Sequence, residues 1–310
     1  MRIVFMGTPD FAVPSLRALC EAGHQVVGVF TQPDRPRGRG KKLQPSPVKA
    51  EAVARGIPVF QPTSIRKQGV EDFRALQPEL CVTAAFGQIL SKELLDIPPR
   101  GCVNVHASLL PKHRGSAPIA WGILQGDELA GITTMMMAPG IDDGDMLLQR
   151  ATPIGSTETC GELTERLSHI GAELLIETLQ RMEAGDLQRL PQDETAMTYD
   201  PKLTKELAVI DWSADAFSVA RRIHALNPWP CCTIQLKEDR LKLLRAEVVE
   251  QSGSPGRVLR ADAKEGLILA CGQNAIRVLL LQNAGGKAMN SRDYLRGHTI
   301  EPNQAIQSPL

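Results

Sequence analysis

Residues 2–23, RIVFMGTPDFAVPSLRALCEAG, join a short β-rich run to a helical pattern through a tight turn. The run over residues 2–7 predicts a strand, and the pattern after the turn predicts a helix for which Gly23 is the stop signal. The turn, FMGTPDFA, lacks the G-x-G-x-x-G spacing that holds a dinucleotide pyrophosphate, so we expect no nicotinamide or flavin cofactor. This strand–turn–helix unit decides the fold class because it recurs along the chain.

The same alternation of short apolar runs and helical patterns continues to about residue 150. It predicts an α/β fold with a doubly wound, largely parallel sheet and helices on both of its faces. In such sheets, ligands bind beyond the carboxyl ends of the strands. We therefore expect the chemistry of the protein where polar residues follow an apolar strand.

The length of 310 residues favours two domains, because single cores rarely exceed about 250–300 residues. A long amphipathic helix is predicted over residues 159–184, and an irregular polar stretch follows it. After one further helix over IDWSADAFSVARRIHAL, short strands separated by Gly, Pro and Asp turns predict a small, OB-like β-barrel. We expect a first domain over 1–185 with an insert at 33–49, a linker over 186–209 and a barrel domain over 210–310.

Composition indicates the cellular compartment of the protein, whereas the net charge does not indicate its partners. The chain has 35 Lys and Arg against 35 Asp and Glu, so its net charge carries no information about partners. Seven cysteines form no C-x-x-C pair and several lie in apolar segments, which argues against a zinc site and favours a reducing compartment. The N-terminus does not resemble a signal peptide, and no apolar run approaches about 18 residues. We expect a cytoplasmic protein that does not associate with a membrane.

Polar residues cluster after one apolar run, in NVHASLLPKHRGSAP (104–118). Asn104 and His106 are two positions apart, so they face the same side of a strand. Asp142 lies in APGIDDGDM, between two glycines, where a tight turn could aim its carboxylate at that pair. An amide, an imidazole and a carboxylate without an evident Ser or Cys nucleophile favour acyl transfer between two bound substrates.

Ser108, Leu109, Leu110 and Pro111 form an apolar ledge after this strand, with backbone groups that Pro111 keeps out of regular pairing. Such a ledge suits a flat aromatic ligand with polar edges. From spacing alone, non-catalytic interpretations stay open. The ledge would then be a surface loop with two buried leucines, the Asn and His a turn residue and a structural histidine, and the acidic loop a solvated turn or a weak cation site.

Residues 33–49 concentrate six Lys and Arg against one Asp in an otherwise neutral chain. Their glycines and prolines, and the absence of apolar periodicity, predict a mobile loop. Positive charge on a mobile arm suits contact with RNA phosphates, and a solvated charged loop is the alternative. The barrel region also carries basic residues, which the sequence does not rank: Arg221, Arg222, Lys237, Arg240, Lys242 and Arg245.

Ordered segments along nearly the whole chain resemble the methionyl-tRNA formyltransferase family. They are RIVFMGTPDFA, QPDRPRGRGKKLQPSPVK, NVHASLLPKHRGSAPI, GIDDGDML, TYDPKLTKE, IDW and NPWP. HASLLP and GIDDGD are shared with other formyltransferases that use 10-formyltetrahydrofolate, whereas the N-terminal segment, the basic insert and the β-module favour the tRNA branch. The resemblance implies a Rossmann-like formyltransferase core over 1–185 and a tRNA-binding barrel over 210–310.

The resemblance also implies a site. Asn104, His106 and Asp142 would be the catalytic set, which moves a formyl group from N10 of 10-formyltetrahydrofolate to the amino group of methionine on initiator tRNA, for translation initiation. It further implies a folate co-substrate, no metal and a monomer. The implied folate contacts are Ser108, Leu109, Leu110 and Pro111, and the implied tRNA contacts are Arg35, Arg37, Arg39, Lys41 and Lys42.

Two positions depart from the usual pattern of that family: His113, where an aromatic residue is common, and Ser116, where alanine is common. Neither belongs to the catalytic set, so we expect His113 to be a structural or surface residue. Other acceptors stay open, namely glycinamide ribonucleotide, an amino-sugar nucleotide or water. The alternative from a different class is an RNA-binding protein on an inert α/β scaffold, which would have no need for the catalytic set.

Overall fold

The computed structural model describes residues 1–37, 42–237 and 239–309. These residues divide into two compact units. The first unit comprises Met1–Gly115, Ala130–Thr152 and Thr164–Asp200, and the second comprises Ser116–Leu129, Pro153–Leu163 and Pro201–Leu310. The units do not follow contiguous ranges, and the domain boundaries 1–185, 186–209 and 210–310 stay a prediction.

The secondary structure is numbered in chain order. The strands are β1 Arg2–Gly7, β2 Gln25–Phe30, β3 Arg35–Arg37, β4 Lys42–Gln44, β5 Val59–Phe60, β6 Leu80–Ala84, β7 Cys102–His106, β8 Arg114–Gly115, β9 Leu129–Met136, β10 Met146–Pro153, β11 Tyr199–Asp200, β12 Cys232–Leu236, β13 Asp239–Val249, β14 Val258–Asp262, β15 Gly266–Ala270, β16 Ala275–Asn283 and β17 Ala288–Asn290. The helices are α1 Val13–Glu21, α2 Pro47–Ala54, α3 Ile65–Gln68, α4 Val70–Ala75, α5 Lys92–Asp96, α6 Pro118–Gln125, α7 Cys160–Ala184, α8 Ala216–Ala225 and α9 Ser291–Tyr294. In the described part of the chain, none of these helices combines the length and the apolar composition that crossing a bilayer requires.

The first unit is built on a sheet with the strand order β10-β9-β7-β6-β1-β2-β5. β1 is parallel to β2 and β6, β6 is parallel to β7, and β2 is parallel to β5, whereas β7 and β9 are antiparallel. The largely parallel α/β sheet predicted from the sequence is therefore confirmed. Because β6 and β7 are parallel, their carboxyl ends lie at one edge of the sheet, and the polar stretch after β7 begins there.

An apolar cluster fills the interior of this unit. Met6 of β1 and Phe30 of β2 are completely buried. Phe30 stacks on Phe60 with 4.8 Å between ring centroids and meets Phe73 of α4 edge-on at 5.9 Å. Such aromatic pairs stabilise a core beyond the area that they bury.

The second unit has an antiparallel sheet with the order β12-β13-β16-β15-β14, and β17 pairs with β16. Helix α8 packs on β13, and α6 packs on α8. The buried side chains of this unit, among them Ile223 of α8 and Leu243 of β13, form a separate apolar cluster. This arrangement confirms the small OB-like β domain predicted for the C-terminal part of the chain.

The helix predicted over IDWSADAFSVARRIHAL is shorter than expected, because α8 begins only at Ala216. Asp211 accepts a hydrogen bond from the backbone N–H of Ser213 at 2.9 Å, which forms a local turn. Asp215 then caps the helix by accepting from the backbone N–H of Ser218 at 3.0 Å. Short polar side chains of this kind compete with helical backbone bonds, so they end the helical pattern early.

Candidate active site

Asn104 is held at the end of β7 by a neighbour from β6. Thr83 is its partner across the parallel pair, and the Thr83 hydroxyl donates to the Asn104 side-chain oxygen at 2.7 Å. Since that bond engages the carbonyl end of the amide, the Nδ2 end is the one that can donate to a ligand. The strand pairing thus turns Asn104 into an oriented hydrogen-bond donor at the strand end.

His106 is only 6% exposed, and its two ring nitrogens face different partners. Nε2 lies 3.0 Å from the backbone oxygen of His113. Because a carbonyl oxygen can only accept, Nε2 carries a proton, and Nδ1 is the nitrogen that gains or loses one. Nδ1 lies 3.6 Å from Oδ1 of Asp142, which is within ion-pair range but too long for a hydrogen bond. The direct orienting bond to His106 therefore comes from the His113 carbonyl.

Asp142 lies in the loop between β9 and β10, in the left-handed conformation with φ 52°. Its Oδ2 accepts from the backbone N–H of Gly115 at 2.9 Å. The side-chain amide of Gln192 donates to the backbone oxygens of Asp142 at 2.7 Å and of Gly144 at 2.8 Å. At Gly144, an added Cβ would lie 1.9 Å from the Met136 oxygen, so only glycine fits this close turn. The loop therefore holds the carboxylate in one place.

Gln192 connects this loop to a buried arginine. The Gln192 side-chain oxygen accepts from Nε of Arg114 at 3.0 Å, and Arg114 also binds both carboxylate oxygens of Glu194, at 2.7 and 3.2 Å. The hydrogen bond from Arg114 lowers the pKa of Glu194. Residues 190–200, which the sequence assigned to a linker, thus belong to the first unit, and Leu190 forms a bridge with Met146.

His113 is buried rather than on the surface. Its Nδ1 lies 2.6 Å from Oδ2 of Asp200, and its backbone N–H donates to the Thr198 hydroxyl at 2.8 Å. His113 and Asp200 are 5% and 1% exposed. Thr83, Gln192, Thr198 and Asp200 were not predicted as site residues, because each is far in sequence from the residue that it contacts. The replacement of the usual aromatic residue by His113 was the one signal in the sequence.

The ledge after β7 is fixed by Thr133 of β9 and by Gln149. The Thr133 hydroxyl donates to the Ser108 backbone oxygen at 2.7 Å and accepts from the Leu110 N–H at 3.1 Å. The Gln149 side-chain amide donates to the Leu110 oxygen at 2.8 Å. The Ser108 hydroxyl donates to the Lys112 oxygen at 2.7 Å, and the Ser108 and Leu110 side chains are buried. Of the four expected folate contacts, Leu109 and Pro111 are therefore the ones with partly exposed side chains.

Replacing Gly115 with alanine is expected to lower the free energy of unfolding by on the order of 3 kcal/mol. Gly115 lies opposite Asp200 in the parallel pair of β8 and β11. Gly115 has φ 118°, and an added Cβ would lie 2.3 Å from the backbone oxygen of Asp200, so the two strands would have to separate. Equilibrium unfolding in urea measures the effect. The matched control is Gly297→Ala, because its Cβ would meet no atom within 4 Å. Equal unfolding free energies for the two variants would contradict the packing described at Gly115.

The basic insert, expected to be a mobile loop, contains two short paired strands, and its last residues begin α2. β3 and β4 pair antiparallel, with Arg35 opposite Gln44 and Arg37 opposite Lys42. Of the five expected tRNA contacts, Arg35 is exposed, Arg37 and Lys42 are described by their backbone in this pairing, and Arg39 and Lys41 lie outside the described residues.

Two polar contacts join the ends of the insert. The hydroxyls of Thr31 and Ser46 are 2.7 Å apart. Nζ of Lys49 lies 2.7 Å from Oδ2 of Asp34 and donates to the Gln61 side-chain oxygen at 2.7 Å. Hydrogen bonds from Lys49 and Gln61 lower the pKa of Asp34. Lys49, which contributes to the positive charge of the insert, is therefore paired at its base.

The basic residues of the second unit fall into two groups. Arg222 donates to the Leu207 oxygen at 2.7 Å, Arg245 pairs with Glu162, and Arg221 packs against Gly126. The side chains of Lys237, Arg240 and Lys242 are exposed. This second group is the better candidate for contact with a polyanion. Among the described residues, no three His, Cys, Asp or Glu side chains are grouped as ligands for a metal ion.

Comparisons with known proteins cover both halves of the chain. A family model described as formyl transferase matches residues 1–179, and one described as the formyl transferase C-terminal domain matches residues 202–299. A methionyl-tRNA formyltransferase of Moorella thermoacetica is 48% identical over 309 residues, which cover 99% of each protein. One of Citrifermentans bemidjiense is 48% identical over 303 residues, which cover 97% of this chain and 95% of that protein.

Solved structures share the fold. The N-formyltransferase from Helicobacter canadensis, in complex with folinic acid and dTDP-3-aminofucose, matches with a TM-score of 0.69 at 18% identity, over 90% of this chain and 99% of that one. HypX from Aquifex aeolicus, in complex with tetrahydrofolic acid, matches with a TM-score of 0.64 at 20% identity, over 97% of this chain and 49% of that one. At these identities the likeness concerns the fold alone.

Proposed function

The chain belongs to the methionyl-tRNA formyltransferase family, and from this premise we propose which residues carry out its reaction. It is an enzyme that transfers the formyl group of 10-formyltetrahydrofolate to the amino group of methionyl initiator tRNA, which gives N-formylmethionyl-tRNA for translation initiation. We assign Asn104, His106 and Asp142 to catalysis. The observation that carries this assignment is that the oriented Asn104 amide lies on the same face of β7 as His106, whose Nδ1 is 3.6 Å from the Asp142 carboxylate.

The amine of the aminoacyl ester is the nucleophile. A free α-amine has a pKa of about 8, and the neighbouring ester lowers it, so the amine is largely neutral near pH 7 and needs positioning rather than deprotonation. Its attack on the formyl carbon forms a C–N bond and a tetrahedral oxyanion. The Nδ2 group of Asn104 is the donor that would stabilise this oxyanion.

The transferred proton has a defined route in this arrangement. The attacking amine must lose one proton, and N10 of the folate gains one when its bond to the formyl carbon breaks. Since Nε2 of His106 keeps its proton on the His113 carbonyl, Nδ1 is the position that can accept and return a proton. Asp142, 3.6 Å from Nδ1, would stabilise the imidazolium that forms between these two transfers.

The binding roles are assigned to two segments. The ledge of Ser108, Leu109, Leu110 and Pro111 would contact the folate, with its backbone and the partly exposed Leu109 and Pro111 side chains. The insert residues Arg35, Arg37, Arg39, Lys41 and Lys42 would contact tRNA phosphates, supported by the exposed basic residues of the second unit. We also propose that the enzyme acts in the cytoplasm and as a monomer. We propose that it needs no metal ion, because Asn104 would stabilise the oxyanion and His106 would carry the proton.

Formyl transfer from labelled 10-formyltetrahydrofolate to methionyl initiator tRNA is the test. We expect label on the initiator tRNA, with no loss of rate in EDTA and a monomeric mass in solution. Parallel reactions offer methionyl elongator tRNA, glycinamide ribonucleotide, an amino-sugar nucleotide, or water alone. Label on one of the small acceptors, or release as formate, with none on the tRNA would contradict the proposed acceptor. No turnover of the folate with any acceptor would contradict the assignment of the site.

A further inference from the structure

The buried pair of His113 and Asp200 has no direct part in the reaction described above. Nδ1 of His113 and Oδ2 of Asp200 are 2.6 Å apart, and both side chains are withdrawn from solvent. A buried pair of this kind is a poor means of stabilising a fold, because desolvation offsets much of the attraction. We therefore examine which neighbouring groups the pair positions.

The pair holds the backbone of His113 in an unusual conformation. His113 has φ 61°, in the left-handed region that residues other than glycine seldom adopt. Thr198 holds this stretch of backbone by two hydrogen bonds. Its hydroxyl accepts from the His113 N–H at 2.8 Å, and its backbone oxygen accepts from the N–H of Arg114 at 2.9 Å. With the Asp200 contact to the ring, these bonds form what we call the clasp, consisting of Thr198, Asp200 and His113.

The backbone oxygen that the clasp fixes is the one that accepts from Nε2 of His106 at 3.0 Å. This bond selects the neutral tautomer with the proton on Nε2 and the lone pair on Nδ1. Without it, the neutral ring could place its proton on Nδ1 and donate toward Asp142. His106 would then lack a lone pair at the position from which it takes the proton of the amine.

We propose that His113, held by Asp200 and Thr198, is a positioning residue that sets the tautomer and the ring orientation of His106. The kinetic part of this inference rests on the proposed function, because it assigns the Nδ1 lone pair to proton transfer. The structural part does not rest on it, because the tautomer of His106 is measurable without any substrate. The Asp200 carboxylate supplies a polar partner for the His113 ring, which explains why a histidine is accommodated at this buried site.

The test compares three variants by the ¹⁵N shifts of the His106 ring and by steady-state kinetics. His113→Phe with Asp200→Ala keeps a planar ring, removes Nδ1 and leaves no orphaned carboxylate. His113→Asn tolerates a positive φ and carries an N–H at the position of Nδ1, so it is the conservative rescue. Asp200→Asn keeps the shape of the clasp and removes its charge, and it supplies the same measurements if the double variant does not fold.

In the double variant we expect the His106 ring to lose the Nε2–H tautomer signature, and kcat to fall by about 10- to 100-fold while both KM values stay within about twofold. His113→Asn should restore the tautomer and most of kcat, and Asp200→Asn should fall between the two. The signals are assigned by their absence in His106→Gln. The matched control is His224→Gln, which alters a buried histidine of the second unit whose Nε2 lies 2.9 Å from the Ala246 oxygen, and it should change neither measurement.

A folded double variant, or a folded Asp200→Asn in its place, that keeps both the tautomer and kcat would overturn the inference. So would a fall in kcat with an unchanged His106 tautomer, because the clasp would then act by another route. If the unaltered protein formylates no acceptor, the proposed function fails, and the ring shifts still decide whether the clasp sets the tautomer.

Discussion

Asn104→Ala is expected to lower kcat by about 10²–10³-fold, with the KM for both substrates unchanged within about twofold. The Nδ2 group donates to an oxygen whose negative charge exists only in the transition state and the tetrahedral intermediate. Loss of that donor therefore reduces the rate of the chemical step and leaves ground-state binding intact. Single-turnover kinetics with saturating folate and tRNA separate this step from product release.

Thr83→Val is the companion variant. It keeps the shape of the threonine and removes only the hydroxyl that orients Asn104. We expect a loss of about tenfold in kcat, since the amide is kept but can rotate. His106→Ala and Asp142→Ala are expected to resemble Asn104→Ala in losing kcat. A folded Asn104→Ala protein with an unchanged rate would exclude the amide as the donor to the oxyanion.

Replacing Arg35, Arg37, Arg39, Lys41 and Lys42 together with glutamine is expected to weaken tRNA binding and to flatten its dependence on salt. Each phosphate contact contributes about 0.7–0.9 to the slope of log K against log salt concentration, so five contacts account for a slope change of about 4. The affinity for tRNA should fall by about 10²–10³-fold near physiological salt, while the affinity for folate is retained. Filter binding over a salt series gives the slope, and folate titration gives the second affinity.

A control with the same change in net charge is available on the first unit. Arg66, Lys67, Arg74, Lys92 and Arg100 are all exposed, and their replacement with glutamine removes the same number of charges. We expect this control to change the slope by less than about one, because the charges act through contact more than through the total field. Equal slopes for the two variants would show that the insert has no special part in binding tRNA.

The sheet was predictable because its strands are short, apolar and bounded by turn residues, as β1, β6 and β7 illustrate. The antiparallel pairing of β3 with β4 was not, because Pro, Gly and alternating charge hide it. The helix predicted from residue 210 also failed at its start, since Asp211 and Asp215 form local bonds that sequence periodicity does not report. At the start of this helix, local hydrogen bonds of side chains overrode the helical pattern.

In the candidate site, the common face of Asn104 and His106 follows from their spacing, and the structure places both at the end of β7. Their supporting contacts could not be predicted. Thr83 reaches Asn104 through strand pairing, and Asp200 reaches His113 across 87 positions. Contacts between residues so far apart in the chain depend on the order of the strands in the sheet, and a single sequence does not report that order directly.

The joined ends of the basic insert have a consequence for the changes that the insert can accept. Thr31 with Ser46, and Asp34 with Lys49, fix the separation of the two ends independently of the residues between them. The entropic cost of closing a loop, expressed as a free energy, rises by only about 0.6 kcal/mol for each doubling of loop length. A change in the length or sequence of the residues between these contacts therefore leaves the two ends of the insert at the same separation, and the sheet to which they connect keeps its shape.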